Sequence, residues 1–208
     1  MPLATPIHPG TPDWSGENPG ILLKEDPEGP WSAMALFFRI VYSPEGAGHA
    51  LLLYEDPMRA ASLPETHNVM VSDNEPMARY LMANFIGKLP SFGGVPAFAG
   101  VQYLALDEVA AGGDARSRYT ETLRSGDLRV ELVWDDLGAP VALELPVHET
   151  GTKEHEGFTV LVESRTASIL VNGRALPGRP VPRVQAGLET TSAFLYFSET
   201  WIWPPAAT

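Results

Sequence analysis

The chain is 208 residues long, carries a formal charge of −12 at pH 7, and has no cysteine and only three lysines, Lys24, Lys88 and Lys153. That length suits a single domain over residues 1–208 with a real core, and the acidity speaks against nucleic acids and anionic membranes, which require a basic footprint. Without cysteine there are no disulfides or thiolate zinc sites, and no apolar run approaches the roughly 20 residues of a membrane-spanning helix.

The first residues, MPLATPIHPGTPDW, lack the basic-then-apolar form of a signal peptide. The expected setting is cytoplasmic, with a small-molecule ligand or substrate as partner and homo-oligomerisation left open. Residues 1–20 hold Pro2, Pro6, Pro9, Pro12 and Pro19 without periodicity, which predicts an extended N-terminal arm held to the body by Trp14. Residues 33–42, AMALFFRIVY, then read as a strand apolar on both faces, central or barrel-lining. A turn over 43–48 leads to a second strand, 49–54, that ends at Glu55. After a loop, residues 67–71 form a third.

Ser72 or Asp73 can cap a helix whose first turn takes Pro76 and whose apolar residues run from Met77 to Ile86 at helical spacing, with Gly87 as its stop. So wide an apolar surface predicts a helix pressed into a sheet or plugging a barrel. Further strands are expected at 98–107, 116–123, 128–134, 141–145, 158–163, 168–171 and 192–203, with hairpin chemistry at Asn172-Gly173. The 20 prolines and 19 glycines fall between these runs as turn punctuation. About eight to ten strands with one helix predict a mostly β fold, a curved antiparallel β-barrel or cone in which closure removes exposed edges.

Several residues could carry chemistry. Lys88 follows the helix beside a Gly/Pro loop. A Schiff-base amine must be neutral, which demands burial or a nearby cation, whereas the plainer role is a solvated lysine capping helix carbonyls. Arg39 lies in an apolar strand on the face of Ala35, Phe37 and Val41, so it should meet a carboxylate, Glu55 or Glu199, or bind an anionic ligand. Glu199 alternates onto the face of Leu195, Phe197, Trp201 and Trp203. Burial there would raise its pKa, but the balance favours a solvated place at the rim. The run HETGTKEHE, 148–156, lacks the helical spacing of a zinc motif and reads as a charged loop; no metal site is expected. No GxSxG or phosphate loop is present. Tyr119, Trp134, Trp201 and Trp203 read as core.

Three fragments in order resemble the acetoacetate decarboxylase family: Phe38-Arg39-Ile40-Val41-Tyr42, Asp73-Asn74-Glu75-Pro76, and Thr122-Leu123 with Gly126 and Leu128-Arg129-Val130. The resemblance implies a β-barrel or cone with a helix ahead of the site, and Schiff-base chemistry on a keto acid or ketone without a cofactor. Lys88 would be the nucleophile, one position short of the family's lysine counted from Asp73, and Tyr54-Glu55 resembles the family's Y-x-E stretch. The family's strand arginine matches Ala35, with Arg39 four residues on and facing the same way. The resulting expectation is a decarboxylase-like or aldol-type lyase with Lys88 and Glu55 catalytic, and with Arg39, Glu199, Phe37 and Trp201 binding substrate. The alternatives are a non-catalytic small-molecule-binding barrel, or a cofactor-free isomerase or cyclase with Glu199 or Glu55 as base.

Overall fold

A computed structural model describes residues 8–60 and 66–205. In chain order the elements are β1 (Thr11–Glu17), β2 (Gly20–Leu23), β3 (Ala33–Tyr42), β4 (Gly48–Tyr54), β5 (Asn68–Ser72), α1 (Glu75–Asn84), β6 (Gln102–Ala105), β7 (Glu108–Gly113), β8 (Arg118–Ser125) and β9 (Leu128–Leu137). There follow β10 (Val141–Leu145), β11 (Glu156–Val171), β12 (Arg174–Ala175), β13 (Pro182–Gln185), β14 (Leu188–Thr191) and β15 (Ala193–Trp203). The fold is mostly β with one α-helix among the described residues, as expected.

Thirteen strands form one sheet in the order β6-β5-β4-β3-β1-β15-β11-β9-β8-β7, with β2 between β3 and β15, and with β10 and β12 on β11. Its two ends, β6 and β7, are neighbours in the chain, separated only by Leu106 and Asp107. The Leu106 amide donates to Ser72 at the end of β5 and the Asp107 amide to Arg124 in β8. This dipeptide therefore brings the two edges of the sheet together. The pairings are antiparallel except β5 with β6, which is parallel. The hairpin β13–β14 stands apart as its own two-stranded sheet.

Because β3 is apolar on both faces, it separates two cores. Met34, Leu36, Phe38 and Ile40 pack with the buried side of α1, Met77, Ala78, Leu81 and Met82. Ala33, Ala35 and Phe37 turn the other way, toward Leu51, Leu53, Val130, Leu132 and Trp134 on the concave side of the sheet. The helix is thus pressed onto the sheet from outside. Its cap is Asn74, whose side chain accepts from the Met77 amide; Ser72 and Asp73 serve its approach instead, Ser72 taking the Asn74 amide and Asp73 the His49 amide. The α-helix ends before Gly87, at Phe85, and a 3-10 turn over Ile86–Lys88 continues it.

Other boundaries differ from the sequence reading for physical reasons. The described part of the N-terminal arm is no arm: β1 lies inside the sheet between β3 and β15, while residues 1–7 lie outside the described residues. Residues 96–100 form a 3-10 turn ahead of β6. The runs at 158–163 and 168–171 belong to one strand, β11, which pairs β15 through Glu163 and β9 from Ser164 on. Its polar middle marks this change of neighbour, where the buried Ser164 hydroxyl donates to the carbonyls of Asp135 and Thr166.

Candidate functional site

A cavity of about 330 Å³ opens on the helix side of the sheet. Its wall is the last strand, which presents Phe194, Tyr196, Glu199 and Trp201 to it. Strict alternation would separate Tyr196 from Glu199. A β-bulge rejoins them: Phe158 faces Thr200 and Val160 faces Phe197, so Thr159 alone opposes both Ser198 and Glu199. Ser198, at this bulge, takes the left-handed conformation, φ +52°. Leu195 and Phe197 consequently stay with the concave core, while Glu199 and Trp201 swing to the cavity.

Glu199 is 2% exposed, so it lies in the interior and not at the rim. Burial pushes its carboxyl up to about 8, against the Trp201 and Asn18 side chains, which pull the other way. Those two approach without a well-aligned hydrogen bond, and Glu199 Oε2, Asn18 Oδ1 and Trp201 Nε1 are all buried with no partner among the described residues. A buried polar group without a partner costs stability, and three of these polar groups, Asn18, Glu199 and Trp201, belong to the lining of one cavity. Tyr196 adds a hydroxyl, its phenol pushed up by burial. Across the opening, β13 contributes Arg183, whose Nη2 donates to the Tyr196 hydroxyl at 3.3 Å and whose guanidinium stacks 4.6 Å from the Phe194 ring.

Of the residues expected from the sequence, the structure brings Glu199 and Trp201 together here. The others lie elsewhere. Lys88 Nζ pairs with Glu154 and rests 5.3 Å from the Trp203 ring, and the lysine is not part of the cavity lining, although Leu89 and Pro90 beside it are. Glu55 is buried, but its carboxylate meets His67 Nδ1 at 2.8 Å and Arg174 at 2.9 Å, so Lys88 and Glu55 share no partner. Arg39 meets carboxylates, as an arginine in an apolar strand must, but they are Glu17 and the fully buried Glu121. Burial opposes the charge on Arg39, and Tyr119 and Glu121 outweigh it, so its guanidinium is held above its ordinary value. Phe37 is core on the concave side, stacked on His49 at 6.2 Å.

Comparison with protein-family models, with curated proteins and with solved structures found no match. The likeness to acetoacetate decarboxylases therefore rests on the sequence fragments that carry it.

The 148–156 run is a charged loop with His148, Glu149, Lys153 and Glu154 exposed, but part of it turns inward. His155 is fully buried with its Nε2 3.1 Å from Asp13 Oδ2, and its Nδ1 lies 2.9 Å from the Thr152 hydroxyl. The Tyr80 hydroxyl donates to the other Asp13 oxygen. Among the described residues no group of three or more histidine, aspartate or glutamate side chains is placed to hold a metal, and no helix is long and apolar enough to cross a membrane. Sequence reasoning missed Asn18, Tyr196 and Arg183. Arg183 sits in a Pro-punctuated stretch that carries no strand signal, and Tyr196 joins Glu199 only through the bulge.

Proposed function

We propose that the protein binds a small molecule in this cavity and moves a proton on it without a cofactor, as an isomerase or cyclase with Glu199 as the acid–base group. The observation that carries the reading is a glutamate, 2% exposed, in the lining of a 330 Å³ cavity, where burial pushes its carboxyl up to about 8. General acid–base groups work best when their pKa lies near the operating pH. At neutrality Glu199 enters the cycle protonated and gives its proton to a basic atom of the ligand. The carboxylate so formed takes a proton from another atom of the ligand, which returns the enzyme to its starting state and leaves an isomer. Leu22, Leu36 and Phe85 would exclude water, and Asn18 and Trp201 would hold the transient carboxylate.

Schiff-base chemistry at Lys88 is the second reading, supported by the sequence resemblance and by the chain neighbours Leu89 and Pro90 in the lining. It requires the amine to leave Glu154 and turn inward.

Deuterium exchange separates the readings. A panel of enolisable ketones and keto acids incubated with the protein in D₂O should exchange carbon-bound protons, and Glu199→Gln should lower that rate by about 10²–10⁴-fold while Lys88→Ala leaves it in place. If instead borohydride traps an adduct that Lys88→Ala abolishes, the lyase reading replaces this one. Binding without exchange in either form would make the protein a carrier.

A further inference from the structure

We propose that the ligand of this cavity is an organic anion whose carboxylate, or an equivalent oxyanion, is received by Arg183. The inference rests on the cavity being a ligand site and adds the chemistry of what enters it.

Arg183 differs from Arg39, the other part-buried arginine among the described residues, in what it lacks. Arg39 pairs with Glu17 and Glu121, and even the exposed Arg174 pairs with Glu55. The described contacts of Arg183 are neutral: the Gln185 side-chain oxygen, the Tyr196 hydroxyl and the face of Phe194. Its Nε is buried and has no hydrogen-bond partner among the described residues. A guanidinium stays charged in any protein, and withdrawing it from water without a counter-charge is costly. The ring beneath it offsets part of that cost. The planar fork of Nε and one Nη is the geometry that binds a carboxylate through two hydrogen bonds, and here half of that fork is free.

The acidic residues of the cavity lining do not fill the role, and no carboxylate is within ion-pair distance of Arg183 among the described residues. Glu199, in the same cavity, is held in its neutral form below about pH 8. Glu149, the other acid of the lining, is half exposed at 44% and faces His148 at 3.5 Å. At neutral pH the interior therefore presents one unbalanced positive charge beside a neutral acid and the orphaned Asn18 and Trp201 atoms. An anion with an apolar body and a second polar group matches all of these at once. The carboxylate would sit on Arg183, the body against Phe194, Leu22 and Leu36, and the second polar group near Glu199. The hairpin that carries Arg183 turns at Ala186-Gly187, both with positive φ, +47° and +75°. The hairpin forms a two-stranded sheet of its own and lines the cavity with Arg183, Val184, Gln185 and Ala186.

The test uses matched acids and amides on ¹⁵N-labelled full-length protein: propionate and propionamide, benzoate and benzamide, phenylacetate and phenylacetamide. The Nε–Hε cross-peak of Arg183 is assigned by its loss in Arg183→Gln. At least one carboxylate should shift that peak and bind about tenfold or more tighter than its amide, as a charged hydrogen-bond pair implies. Arg183→Gln should erase the preference, and Arg183→Lys should keep part of it. Equal binding of acids and amides would overturn the anion inference and leave the cavity reading standing, as would carboxylate binding that leaves the Arg183 peak unmoved or survives in Arg183→Gln. Failure of every pair to bind overturns both.

Discussion

Glu199 ties function to stability through a single ionisation. The ordinary value of such a carboxyl is 4.5 and the folded value is about 8, so the folded chain holds a proton that the unfolded chain has already lost. Stability is full below pH 4.5 and falls as the pH rises through the folded value, at roughly 1.4 kcal/mol per unit. Glu199→Gln removes this dependence because the amide stays neutral throughout. Between pH 5 and pH 8 the wild type should lose about 3–4 kcal/mol more stability to denaturant than Glu199→Gln does, an order-of-magnitude figure for so buried a group. Parallel curves for the two proteins would place the carboxyl in water. Lys88 teaches the opposite lesson at the same scale. A rare residue at a helix end looks chemical in a sequence, yet its amine found a carboxylate across the surface, a contact made by tertiary structure that no local spacing reveals.

At the scale of the element, the bulge in β15 decides which side chains meet in the cavity. Alternation assigned Glu199 to the face of Leu195 and Phe197, because a period of two is all that a sequence shows. The extra residue at Ser198 reverses every face after it. Ser198 pays for this with a left-handed backbone, a conformation that β-branched residues resist strongly and glycine accepts freely. Ser198→Val should therefore cost about 1–2 kcal/mol in urea unfolding, whereas Ser198→Gly should stay within about 0.5 kcal/mol of wild type. If valine is tolerated as well as glycine, the bulge is not what holds the strand. What was legible follows from the same logic. The two-faced apolar run of β3, the helix with its Pro76 in the first turn, and the Asn172-Gly173 turn, both residues with positive φ, announce themselves through local chemistry. The strand β1, with Pro12 and Gly16 breaking its pattern, does not, and neither does β7, whose small residues Ala110 to Gly113 carry no apolar signal. Both are made by their partners: Gly16 lies where a Cβ would meet the Arg39 carbonyl at 2.1 Å, a closeness only the folded sheet imposes.

The whole molecule depends on a few long-range fastenings, since its sheet begins and ends at one dipeptide and its first strand lies in its middle. One of these joins β1, α1 and the 148–156 segment through Asp13, Tyr80 and His155, with Asp13 and His155 side chains both 0% exposed. Burial opposes ionisation of Asp13, but the nearby His155, Tyr80 and Trp203 side chains outweigh it and hold the carboxyl below its ordinary 3.8. This carboxylate therefore stabilises the fold at any pH above 3.8, and its contribution is lost as the pH falls below that value toward the folded one. The same cluster borders the cavity, because Thr150 and Gly151 line it and the His155 ring packs 5.9 Å from that of Trp201. Removing one member of a buried pair leaves the other without its counterpart, at a cost of about 3–5 kcal/mol. Asp13→Asn should destabilise by that amount, and a cycle with His155→Gln should give a coupling above about 1 kcal/mol, as contacting residues do. Because the loop frames the cavity, Asp13→Asn should also weaken ligand binding without touching the ligand. Additive losses of less than 1 kcal/mol each would mean that β1 is held by its ladder alone, and that the buried pair contributes nothing to closing the molecule.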